Sequence, residues 1–263
     1  QMTDLQYCIS RALYSVLTVI SAFGAVCNFS LFIVTVRTKS LRSTCHILIG
    51  LCALLDGIHQ IGPLFLSPML FADMPIDNMH CSLLMAPVEV GLLGGTSCVL
   101  CIGLERLTAI VFVSLYKRMS RARHLTIHLF CICCFAGYAG FLMVAYFEPG
   151  QQMCSVIAPF HGEAADLFVG KLLLVNAATI VVYTITSIAI SRKTDVSPYL
   201  RRAFNCLFVV MLFDVGGWVL SIGSLTVSLS LDVTEETHAI LAFTAGIIVH
   251  VGIASKALIY YSI

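Results

Sequence analysis

From Cys81 the chain runs through Leu83-Leu84-Met85, Val88, Val90, Leu92-Leu93 and Val99-Leu100 to Glu105-Arg106, and ten residues later to Tyr116-Lys117-Arg118. Cys81 and Arg106 are 25 residues apart, which on one helix is about 37 Å at roughly 1.5 Å per residue. A bilayer's hydrocarbon core is only about 30 Å thick. One helix therefore holds the thiol at one membrane face and the Glu-Arg pair at the other. There the two charges can pair, and the arginine can also swing to another partner.

The rest of the chain agrees with a membrane. Apolar residues make up 59% and charged residues 11%, against about 25% charged in soluble domains, and mean hydropathy is +0.96. That excludes a soluble protein, and 263 residues allow about seven spans with short loops. The fold expected is an all-α bundle of seven transmembrane helices, one domain over 1–263, with spans at about 12–36, 45–71, 82–113, 125–147, 167–190, 199–229 and 237–261. No internal repeat or low-complexity tract appears, and with Gln1 in first place the ends read as trimmed, without a cleavable signal.

Charge placement orients the bundle. Of 15 Lys and Arg, 11 fall in three clusters: Arg37, Lys39, Arg42; Lys117, Arg118, Arg121, Arg123; and Arg192, Lys193, Arg201, Arg202. The alternate connections carry Asp73, Asp77, Glu148, Glu163, Asp166, Asp232, Glu235 and Glu236. The positive-inside rule puts the basic clusters in the cytoplasm, the N-terminus outside and the C-terminus inside.

Polar residues within apolar runs are the next signal, because hydrocarbon leaves their groups unsatisfied unless another helix meets them. Asn28 opens a formal sequon but lies at mid-membrane depth, where glycosylation is silent. Asp56 and Asp214 are intramembrane acids and Lys256 an intramembrane base. Pro63 and Pro68 should kink the outer half of span 2, and Gly91, Gly94 and Gly95 thin span 3. Cys131, Cys133 and Cys134 read as small apolar residues rather than metal ligands. Neither metal nor cofactor is expected.

Cysteine, 25 residues, acid-arginine, and tyrosine ten further on together resemble helix 3 of rhodopsin-like (class A) G-protein-coupled receptors, with Glu105-Arg106-Leu107 in the place of the D/E-R-Y motif. The stretch Arg37-Thr38-Lys39-Ser40-Leu41-Arg42-Ser43 and the wording Gly103-Leu104-Glu105-Arg106-Leu107 resemble more narrowly the nematode serpentine chemoreceptors of class Srsx. The resemblance implies roles for Asn28 and for Asp56, which closes Leu51-Cys52-Ala53-Leu54-Leu55-Asp56 like the family's L-A-x-x-D. It also implies roles for Tyr183, Phe213, Trp218 and Tyr260. It implies a disulfide from Cys81 to Cys154 of the second outer loop, Cys8 being the other cysteine near that side. Several family features are missing: the helix 4 tryptophan, the helix 5 proline, and the proline after Trp218, for which Gly216-Gly217 can supply the bend. In the N-P-x-x-Y slot, Lys256 and Ala257 replace Asn and Pro.

The function implied is a multi-pass plasma-membrane receptor, with sensory cilia as one location that the resemblance suggests. A ligand would move helix 6 and open a cytoplasmic cleft to a heterotrimeric G protein, with the lipid bilayer as the other partner and no part for nucleic acid. Glu105 would hold Arg106 at rest, Tyr183 or the G protein would receive it, and Tyr116 and Tyr260 would assist. The ligand pocket would draw on Glu89, Lys171, Trp218, Phe243 and His250, with Phe65 and Phe168 around them, which suits a small apolar odorant or a short peptide. A structural Glu89–Lys171 bridge has equal weight. Val88 stands where amine receptors keep an aspartate, and His250 where opsins keep the retinal lysine. For Lys256 two readings stand: a bridge to Asp56 with Asp214 as second partner, in the place where the family binds sodium, or snorkelling to the cytoplasmic face. The alternative for Asp56 is a hydrogen bond to Asn28 alone. The rival classes are a transporter, which would need inverted or broken-helix repeats, an intramembrane serine hydrolase, for which His59 and His250 lack an obvious serine, and a non-signalling seven-helix protein.

Overall fold

The computed structural model describes residues 4–72, 74–193, 198–230 and 235–261; Asp73 and Asp232 lie outside them. The described chain is almost entirely helical: α1 (Asp4–Arg37), a 3-10 turn (Lys39–Leu41), α2 (Thr44–Gln60), α3 (Gly62–Phe71), α4 (Asn78–Val111), α5 (Val113–Arg118), α6 (Arg121–Ala145), α7 (Glu163–Arg192), α8 (Pro198–Ser230) and α9 (Glu235–Tyr261). Seven of these stretches are long and apolar enough to cross a membrane, α2 and α3 together forming the second.

Local chemistry explains the ends. Ser43, Asp77 and Ser120 precede α2, α4 and α6, and their side chains accept the backbone N–H of His46, Met79 and Arg123, satisfying donors that a helix start leaves open. The expected bend in span 2 is a break. Pro63 has no N–H and its ring opposes the carbonyl of His59, so the α2 ladder ends at Gln60 and α3 resumes at Gly62. Span 3 stops two residues early. The backbone turns at Phe112 (φ −105°, ψ 50°) into α5, which carries Tyr116 alongside the base of α4 instead of onward from it.

The helices form one bundle around α4. This helix packs on α2, α6 and α7, while α1 lies between α2 and α9, and α9 packs on α8. Side chains such as Val19, Phe130 and Val144 stand outward with most of their surface uncovered, as lipid-facing positions should. At the acidic end, Cys81 and Cys154 form a disulfide with Cα atoms 5.6 Å apart. Beside it two short strands, β1 (Ile76–Asp77) and β2 (Gln151–Gln152), pair antiparallel, holding the loop after α6 against the head of α4. Cys8 is exposed and free.

Candidate functional site

At the basic end three residues converge. Glu105 is fully buried, its Oε2 2.6 Å from Arg106 Nε in an ion contact. Its other oxygen, Oε1, accepts the Tyr116 hydroxyl at 2.8 Å. The turn at Phe112 makes this second contact possible, because it folds Tyr116 back toward α4. Burial, followed by the bond to Glu105, pushes the Tyr116 phenol up to about 12. Its ring lies 4.7 Å from that of His124 on α6. The carboxylate therefore restrains Arg106 on one side and a tyrosine from the neighbouring turn on the other.

Tyr183 stands apart from the arginine. Its hydroxyl donates to the Val99 carbonyl at 3.3 Å, and its ring stacks on Phe204. The ring fits because residue 103 is glycine: a Cβ there would lie 2.5 Å from Tyr183 Cε2. Tyr260 packs on the same core, and Phe213 is turned outward.

Deeper in the bundle, Lys256 is buried between two acids. Its Nζ donates to Asp56 Oδ2 at 3.0 Å and sits 2.7 Å from Asp214 Oδ1. All three residues are at most 3% exposed, so the lysine does not snorkel to the basic face. Ions so placed are tolerable only together, since each alone in a low-dielectric interior is prohibitive. Gly95 makes room for the group, because a Cβ there would be 2.6 Å from Asp56 Oδ1. The triad ties α2, α8 and α9 at one depth. Asn28 is not the partner of Asp56: its Nδ2 donates to Gln60 Oε1 at 2.9 Å and lies 3.5 Å from the Ile253 carbonyl.

Gln60 opens a polar network that composition did not single out. Its Nε2 donates to the His250 carbonyl, and the Ser21 hydroxyl meets His250 Nδ1 at 2.9 Å. The His250 and His59 rings stack at 5.1 Å, His59 Nδ1 donates to the Val88 carbonyl at 3.3 Å, and Trp218 lies 6.4 Å from His59. So His250 does have a serine partner, contrary to expectation. Among the described residues, however, no hydrogen bond or ion pair links either ring to a carboxylate, and Ser21 has no exposed surface, so the pair lacks the oriented base and substrate access that a nucleophile needs. The signal for this network was present in the sequence as Ser21, His59 and Gln60, polar residues inside apolar runs.

The other expected pocket residues are dispersed. Glu89 and Lys171 do not bridge. Glu89 is fully buried with neither carboxylate oxygen hydrogen-bonded, and Lys171 Nζ lies 5.2 Å over the Tyr138 ring. Phe243 meets Tyr14 edge-on at 5.3 Å, and Phe168 stacks on Phe160 at 4.2 Å. Phe65 is 47% exposed. Among the described residues, no three His, Cys, Asp or Glu side chains converge as metal ligands.

None of the curated proteins matches the chain. The profile of one family, described as serpentine type 7TM GPCR chemoreceptor Srsx, matches residues 21–263. That match takes in the Glu105-Arg106 pair, the disulfide and the lysine triad. With seven apolar spans arranged around them, the chain belongs to the Srsx family of serpentine seven-transmembrane chemoreceptors.

Proposed function

We propose that the protein is a plasma-membrane chemoreceptor whose resting state is held by Glu105, and that ligand binding frees Arg106 for a heterotrimeric G protein. The observation that carries this reading is the double restraint at the basic end: a fully buried carboxylate contacts Arg106 at 2.6 Å and Tyr116 at 2.8 Å. In a bistable switch, a ligand acts by its difference in affinity for two states. Here the active state would release the arginine as α8 moves outward, and Tyr183 and Tyr260 would line the cleft. The basic clusters would face the cytoplasm, where they meet the G protein and anionic lipid.

The ligand cavity is assigned to the opposite halves of α4, α7, α8 and α9, around Trp218 and His250, with His59 of α2 stacked on His250 at its edge. Their apolar and aromatic surroundings suit a small odorant or a short peptide. Glu89, buried without a hydrogen-bond partner, is a candidate for a ligand's donor group once the cavity opens. In the triad, the Lys256 ammonium serves as a tethered cation between Asp56 and Asp214.

The test is co-expression with a panel of G proteins and a screen against volatile and peptide libraries. Arg106→Ala should silence every response at unchanged surface level, and Glu105→Gln should raise basal signalling. A correctly displayed protein with a ligand of its own, but no coupling in any arm and no effect of either substitution, would favour a non-signalling seven-helix protein or a transporter.

A further inference from the structure

A cavity of 430 Å³ opens at the basic end between α1, α2 and α6. Its walls are apolar, with Phe32, Val36, Leu51 and Leu129 among them, and two arginines border it, Arg42 from the turn before α2 and Arg121 from the first position of α6. Both arginines are exposed, and among the described residues neither side chain has a hydrogen bond or ion pair. No acidic residue lines the cavity. At this end Arg106 meets Glu105 and Lys193 donates to the Ile110 carbonyl, while Arg37, Lys39, Lys117, Arg118 and Arg123 share with Arg42 and Arg121 the lack of a side-chain partner among the described residues. What sets Arg42 and Arg121 apart is that they line this apolar groove.

We propose that this groove is a seat for one anionic phospholipid, its phosphate held between Arg42 and Arg121 and one acyl chain laid against Phe32, Leu51 and Leu129. The charge pattern selects this occupant. Arg121 and Leu129 are eight residues apart on α6, so the apolar wall extends about 12 Å below the guanidinium at roughly 1.5 Å per residue. An acyl chain matches that wall. Guanidinium is a planar donor fork that suits phosphate oxygens, and two of them without a carboxylate ask for a group of net negative charge. A sterol offers one hydroxyl and would leave both cations unmatched. The inference needs only that the chain is embedded in a membrane. It is independent of ligand, G protein and orientation, so its failure would leave the receptor reading untouched.

The test uses the full chain in phosphatidylcholine nanodiscs containing a trace of phosphatidylserine with a photoactivatable acyl chain, or phosphatidylcholine with the same chain. Cross-linked peptides are mapped by mass spectrometry. Each guanidinium at an anionic surface contributes about a factor of five, so the serine lipid should label the peptides around Phe32, Leu51 and Leu129 more than about tenfold over the choline lipid. R42Q/R121Q should bring it down to the choline level, whereas R118Q/R123Q, which removes equal charge outside the groove, should leave groove labelling within about twofold. L51W keeps both cations but fills the groove, and should abolish labelling there by both lipids. Equal labelling by the two lipids, equal loss in the two double variants, or groove labelling that survives L51W would each overturn the proposal.

Discussion

Removing the Lys256 ammonium should harm the fold more than removing either acid, and the structure supplies the sizes. At an effective dielectric constant of about 20, contacts of 3.0 Å and 2.7 Å are each worth on the order of 6 kcal/mol of attraction. The two carboxylate oxygens that flank the ammonium can be no farther apart than the sum of those distances, so their repulsion is about 3 kcal/mol or more. Losing Asp214 or Asp56 thus forfeits one attraction but relieves the repulsion, a net cost of about 3 kcal/mol. Losing Lys256 forfeits both attractions and leaves two buried carboxylates facing each other. The measured cost of breaking a buried pair, about 3–5 kcal/mol, sets a lower scale for that variant. At about 2–4 °C per kcal/mol for a chain of this size, Asp56→Asn and Asp214→Asn should lower Tm by roughly 6–12 °C, and Lys256→Met by clearly more. Because there are two acids, Asp56→Asn with Lys256→Met still strands Asp214. The neutral reference is the triple variant, which should recover much of the loss. Thermal unfolding in detergent, read by a thiol-reactive dye reporting the buried Cys45, Cys52, Cys98 and Cys101, measures all five variants against the wild type. Losses that simply add, or a Lys256→Met no worse than the single acid variants, would refute the reasoning. So would a clear dependence of wild-type ligand affinity on sodium.

The disulfide closes a stretch of 73 residues, which in the loop-entropy account is worth about 4 kcal/mol; Cys81→Ser and Cys154→Ser should each abolish surface display, as read by antibody labelling of intact cells. The Tyr116 phenol, raised from 10 to about 12, is neutral in the fold where an unfolded tyrosine would ionise. Its contribution is therefore intact below pH 10 and falls away as pH rises from about 10 to about 12. Ultraviolet titration of the wild type against Tyr116→Phe should show the missing component at the upper end of that window, and a component at an ordinary tyrosine pKa would contradict it. Epitope tags in the Lys117–Arg123 segment should be labelled only after permeabilisation and tags beside Glu235 without it, and the reverse pattern would overturn the orientation.

Span number and depth were legible because hydrocarbon imposes a length and forbids unpaired charge, constraints that act along the chain. That Lys256 must either meet a carboxylate or snorkel to the cytoplasmic face is legible for the same reason, but the choice between the two is not. What remained hidden depends on helix rotation and on bends only a few residues long. Nothing local tells Asn28 to choose Gln60 over Asp56, or Lys171 to choose the Tyr138 ring over Glu89. The fold-back at Phe112, which returns Tyr116 to Glu105, involves one residue outside helical geometry and has no proline or glycine to announce it.

Lys256 also has a consequence for how the chain is made. A lysine costs about 2.5–3.5 kcal/mol at the centre of a span on insertion scales. Lys256, four residues before the end of its span, bears a smaller cost, but its charge has no carboxylate partner while α9 is alone in the membrane. Its partners lie on α2 and α8, both synthesised earlier. α9 should therefore settle at its buried depth only against helices already assembled, so that its docking is the step at which the Lys256 charge is first compensated. A variant lacking Asp56 and Asp214 would reveal itself during biosynthesis, as a chain whose final helix slips out of the membrane and which is held back before reaching the surface.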